Sequence, residues 1–120
     1  VRLLYASLVA FVGSPTFAAI QVFKCSFPKE KFEFFITIYD DGAPVRIGVD
    51  TGVGNQGVSF VDELTGAISV IDFIDKGRFP SALTTILPQG DAVHSRHSLS
   101  VDALMLESQM RGTCVMRRIE

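Results

Sequence analysis

From residue 20 onward, apolar and polar side chains alternate with a period of two, broken about every ten residues by turn-forming residues. That period puts successive side chains on opposite faces of a strand. Ile20–Phe27 alternates loosely and stops at Pro28, and Lys31–Tyr39 is dense in β-branched and aromatic residues. Asp40-Asp41-Gly42-Ala43 then separates that run from Pro44–Asp50, where Val45, Ile47 and Val49 share one face and Arg46 and Gly48 the other. An Asp-Gly pair between two such runs is a strong hairpin signal, and the alternation fits a sheet with one buried face.

The rhythm continues. Gly52–Gly57 reads as a loop, Val58–Leu64 as a strand, Thr65-Gly66 as a turn and Ala67–Ile74 as the next strand. Asp75–Pro80 connects to Ser81–Leu87, and Pro88–Asp91 turns the chain into Ala92–Leu99. A last pair, Leu104–Ser108 and Thr113–Arg117, is expected to meet around Met110-Arg111-Gly112. About nine short runs at this spacing predict an antiparallel meander, sandwich or small barrel. The best helical candidate is Leu99–Met110, with a short helix or turn near 100–104 as its minimal form.

The first 18 residues follow another pattern. Val1-Arg2 precedes Leu3–Val12, an apolar run softened only by Ser7, and Gly13-Ser14-Pro15 breaks it. The run is too short to span a bilayer, which takes about 20 residues. A positive start, apolar centre, breaker and the small-x-small triplet Thr16-Phe17-Ala18 form the layout of a cleavable secretory signal peptide. The expected division is therefore a leader over 1–18 and one β domain over 19–120, exported to the periplasm or secreted, with no transmembrane segment once the leader is removed.

Charge excludes some partners. The formal net charge is −2, and losing Arg2 with the leader makes it −3. Such a balance, with scattered basic residues, does not point to nucleic acid or to an anionic membrane surface. Cys25 and Cys114 lie near the two ends of the expected domain. In an oxidising compartment an even count in a small domain reads as a bridge. The loop it would close is nearly the whole domain, and loop-closure entropy alone is worth about 4–5 kcal/mol. A Cys25–Cys114 bridge requires Cα atoms within about 7 Å. The bridge therefore favours first and last strands lying side by side, in a sheet curled until its ends meet.

Candidate chemistry is sparse. Gly52-Val53-Gly54-Asn55-Gln56-Gly57 has the G-x-G-x-x-G spacing of dinucleotide sites, but that mechanism needs a helix starting within the motif. The following Val58-Ser59-Phe60-Val61 reads as strand, so the glycines are expected to serve a loop. Val49-Asp50-Thr51-Gly52 resembles the active-site loop of aspartic proteases, and a domain of this size with one such loop is similar to the retropepsin-like members. That resemblance covers three or four residues. It implies Asp50 as the acid/base of a homodimer, with Thr51 and Gly52 holding its geometry. The chain departs from the pattern at Val53 and lacks the later apolar-apolar-Gly segment.

His94-Ser95-Arg96-His97-Ser98 holds both histidines. On a strand His94 and His97 point to opposite faces, and no third metal ligand is evident. His94 and Arg96 share a face with Ala92 and Ser98, expected to be a polar, exposed stripe and the first place to look for a binding surface. Phe23, Phe27, Phe32, Phe34 and Phe35 form an aromatic cluster, with Phe32 and Phe34 on one face and Phe35 opposite, most of it expected in the core. Small exported β domains tied by one terminal disulfide include the barrel inhibitors of c-type lysozyme, but no Ser-Gly-x-x-Tyr-type inhibitory motif is present. The expected function is a non-enzymatic binding or inhibitor-like module for a protein or cell-envelope component. No cofactor or metal is expected, and the alternative is the Asp50 protease.

Overall fold

Every run rich in β-branched and aromatic residues becomes a strand in the computed structural model, which describes residues 19–74, 79–99 and 105–119. The strands are β1 (Ile20–Phe27), β2 (Phe32–Tyr39), β3 (Val45–Gly48), β4 (Asn55–Val61), β5 (Ile68–Ile74), β6 (Phe79–Ile86), β7 (Asp91–Leu99) and β8 (Met105–Ile119). A single 3-10 turn, Pro28–Glu30, joins β1 to β2. Each strand pairs antiparallel with the next, and β8 pairs with β1, so the sheet is a closed eight-stranded barrel. Closure pairs Ile20–Ser26 of β1 with Thr113–Ile119 of β8, so the meander's two end strands cover each other's edges over that stretch. The expected leader, most of the β5–β6 connection and the 100–104 turn or helix lie outside the described residues.

Closure is covalently fixed. Cys25 and Cys114 are direct cross-strand partners in the β1–β8 register, and their sulfurs are bonded with Cα atoms 4.0 Å apart. Both cysteines are buried. The curled sheet with meeting ends is the architecture the chain adopts.

In a barrel of eight strands the interior is just wide enough for side chains to fill it. One parity of each strand points inward: Phe23, Cys25 and Phe27 on β1; Phe34 and Ile36 on β2; Val45 and Ile47 on β3; Val70 on β5; Ile86 on β6. Fully burying a side chain of this size is worth roughly 1.5–3 kcal/mol. Phe27 packs on Phe32 and Phe34 with ring centroids 6.1 and 5.6 Å away. Phe35 is on the outside, as its parity requires.

The Gly52–Gly57 loop and the Asp75–Pro80 connection are shorter than expected, because β4 begins at Asn55 and β6 at Phe79, and other expectations fail for physical reasons. The last two runs are one strand, not a hairpin, because Gly112 serves close packing instead of a turn. A Cβ there would meet the Ser26 carbonyl oxygen, with Phe27 Cδ1 2.7 Å away. The proposed helix from Leu99 to Met110 is overturned where it can be judged, since residues 105–110 are paired with β7. Val49 does not share the buried face of Val45 and Ile47. The strand ends at Gly48, and Val49 is 87% exposed in the following loop.

The hairpin signals hold. Asp41 caps the β2–β3 turn by accepting the Ala43 N–H at 2.9 Å. Asp62 does the same in the β4–β5 turn, taking the Leu64 N–H at 3.1 Å and the Thr65 hydroxyl at 2.7 Å. Connections alternate between the two ends of the barrel. The Pro28–Glu30 turn and the β3–β4 loop lie at one end; the β2–β3, β4–β5 and β6–β7 turns lie at the other.

Candidate functional site at one end of the barrel

The inward positions change character along the barrel axis. Near the β2–β3 and β6–β7 turns they are Val45, Ile68, Ile86 and Ala92. Toward the other end the same parity brings in Asn55 from β4, Asp72 from β5, Thr84 from β6, and His94 and Arg96 from β7. Register does the assembling: Asp72 is paired with Gly57 and Ala82, Thr84 with His94, and Ala82 with Arg96. Asn55, Asp72, His94 and Arg96 thereby line one cavity of about 230 Å³ beside Phe32, Phe34 and Ile47, with Thr84 behind His94.

His94 corrects the expectation of an exposed polar stripe. It is 3% exposed, and Ala92 beside it on the same face is also buried. The face was identified correctly but its direction was not: it points into the barrel. Only the Arg96 end reaches solvent. The imidazole lies among Phe27, Phe32 and Phe34, with ring centroids 5.0–5.8 Å away. Its Nδ1 and the Thr84 hydroxyl are hydrogen-bonded at 2.7 Å. Burial disfavours the charged ring and the Arg96 cation repels it, so its pKa falls from 6.5 to about 4. At neutral pH His94 is a neutral polar member of an aromatic cluster.

Asp72 is half-buried opposite. Burial pushes its carboxyl above the usual range, while a hydrogen bond from Asn55 and the Arg96 charge act in the other direction. Arg96 itself sits over Phe32, its guanidinium carbon 5.9 Å from the ring centroid. Glu33, Gly48 and Val49 complete the wall. Carboxylate, amide, guanidinium and aromatic face therefore converge at one opening. That is the composition of a ligand site, apolar walls with a few placed polar groups. Sequence reasoning found His94 and Arg96 but not Asn55, Asp72 or Thr84. The available signal was Asp72 itself, a carboxylate sharing parity with Ile68 and Val70 in an apolar run.

Asp50 is not among the residues lining that cavity. It is exposed in the β3–β4 loop, where its Oδ1 accepts the Thr51 N–H at 2.7 Å. Gly52, at a φ of 78°, donates its N–H to the buried Thr37 hydroxyl at 2.8 Å, folding the loop over the outside of β2. A positive φ there suits glycine. The G-x-G-x-x-G glycines are divided between this loop and β4, and the segment that follows is strand. Among the described residues no group of three or more His, Cys, Asp or Glu side chains could hold a metal ion. No described helix is long and apolar enough to cross a membrane.

The sequence matches no known protein-family model, and no curated protein or solved structure is significantly similar to it.

Proposed function

We propose that this protein is an exported, non-enzymatic binding module that contacts a protein or cell-envelope component through the polar end of its barrel. The observation that carries this reading is the convergence of Asn55, Asp72, His94 and Arg96 on one cavity in an otherwise apolar interior. Polar groups inside a barrel cost stability unless they are partnered, and apolar residues of the same parity fill the other end. Here Thr84 partners His94 and Asn55 partners Asp72, which holds a polar set in place at the end where the cavity opens. Export is supported by the leader-like pattern of residues 1–18 and by the disulfide, which persists in oxidising compartments. The exposed, turn-capping position of Asp50 lends no support to a hydrolase.

The test blocks the cavity without touching its polar groups. Val49→Trp adds bulk at the exposed rim, and Ala82→Met fills the interior wall. Leu64→Asp, at the opposite end and 96% exposed, is the control. Oxidised protein immobilised against envelope extract should retain one component in the wild type and in the control, and lose it in both cavity variants. Equal retention by all four proteins, or by none, refutes this assignment of the surface.

A further inference from the structure

The chemistry of the cavity says what kind of group it takes. Of the charged side chains at the cavity, Asp72 and Arg96 have inward parity, whereas Glu33 lies on the outer face, its carboxylate held by the Ser26 hydroxyl at 3.1 Å and Lys24 Nζ at 3.9 Å. His94 adds no charge at neutral pH. An anion arriving there would find Arg96 already facing the Asp72 carboxyl. A cation would find the Asp72 carboxyl and the Phe32 ring over which Arg96 rests, and aromatic faces attract cations. Arg96 already demonstrates the fit, because its guanidinium rests over Phe32 and interacts with Asp72. It also reaches solvent, so it can swing aside without unpacking the core.

The geometry points to a site for an organic cation, an ammonium or guanidinium head on a slim chain, which Asp72 and Phe32 hold and for which Arg96 is the built-in placeholder. This deepens the binding reading above and rests on it. The cavity, at about 230 Å³, is smaller than the pockets that enclose drug-sized ligands and suits a single head group. Asn55 fixes the Asp72 carboxyl by donating to it, so the acceptor is already oriented when the cation enters. The same head group occurs on free small amines and on lysine or arginine side chains projected by a partner protein.

The placeholder role makes a prediction of unusual sign. In NMR titrations of the oxidised protein, methylguanidinium and n-propylammonium should shift the Phe32, Asn55 and His94 resonances saturably. Asp72→Asn should weaken binding about ten-fold or more, as expected for loss of a charge-assisted hydrogen bond. Arg96→Gln should tighten it, because the competitor inside the site is gone. Capped Gly-Lys-Gly and Gly-Arg-Gly peptides separate the sources. Saturation by the peptides assigns a partner's side chain, and saturation by the free cations alone assigns a small amine.

Weaker cation binding in Arg96→Gln, or saturation by acetate or methyl phosphate in place of the cations, overturns the proposal. So does the absence of saturable shifts in both wild type and Arg96→Gln. If that happens while Val49→Trp and Ala82→Met still abolish capture of the envelope component, the polar end remains a binding surface and only its cation chemistry falls.

Discussion

The two ends of one barrel, built from the same strands with the same inward parity, differ in what they put inside. Along β5 the inward side chains run Ile68, Val70, Asp72; along β7 they run Ala92, His94, Arg96; along β6, in the reverse direction, Ile86 gives way to Thr84. These three strands place polar inward side chains toward the same end, while β1, β2 and β3 stay apolar there. One end is filled by aliphatic side chains alone, whereas at the other the buried rings of Phe27 and Phe34 share the interior with His94, Asp72 and Arg96. Aliphatic packing and polar groups are therefore separated along the axis and not between layers.

The largest expected effect tests what both halves share. The Cys25–Cys114 bridge spans a sequence separation of 89 and staples the β1–β8 seam that closes the barrel. Replacing both cysteines by alanine should lower the unfolding free energy by about 4–5 kcal/mol, as loop-closure entropy predicts. Urea denaturation of the variant checks it. A loss below about 1 kcal/mol would mean that the eight-strand pairing closes the barrel without covalent help. Next in size is a cavity in the apolar half. Ile86 is buried against Ile68 and Ala92 in adjacent strands, and Ile86→Ala should cost about 2–4 kcal/mol. If the loss were small, the apolar end would not be the stabilising half.

The polar half should reveal itself through pH. His94 titrates near 6.5 when unfolded and near 4 when folded. Between those values the unfolded chain takes up a proton that the folded one refuses. Stability is therefore complete above about pH 6.5 and declines as the pH falls toward 4, by on the order of 2 kcal/mol. Asp72, whose folded pKa is raised, works in the opposite sense and offsets part of that decline above pH 3.8. His94→Gln should flatten the stability profile over this window, read as urea midpoints at pH 7 and 4.5. An unchanged profile would place the acid sensitivity elsewhere.

How much of this was legible beforehand follows the same division. Period-two alternation located the strands, and the turn residues located the hairpins, because both are local consequences of backbone geometry. The paired cysteines added the one long-range fact, that β1 and β8 are neighbours. The direction of the His94–Arg96 face was misread because polar parity ordinarily faces water, and here register turns it inward. Asn55, Asp72 and Thr84 could not be grouped with it, since their proximity exists only after four strands pair in a particular register. Gly112 misled for a related reason: a glycine needed for close strand packing looks, in one dimension, like a turn.

The smallest expected change in stability is also the sharpest discriminator between the ends. Asp72→Asn keeps an amide-sized group within reach of Asn55 while removing a charge whose burial is unfavourable. At neutral pH that relief offsets the lost attraction to Arg96. The unfolding free energy should stay within about 1 kcal/mol of wild type, whereas truncating a well-packed core residue costs 2–5 kcal/mol. As the pH drops and the wild-type carboxyl takes up its proton, the electrostatic difference between the two proteins should vanish. A loss of more than about 2 kcal/mol at neutral pH would identify Asp72 as a structural anchor whose partners are all internal. Near-neutral stability combined with lost cation binding would show that the group is kept for what enters the barrel from outside.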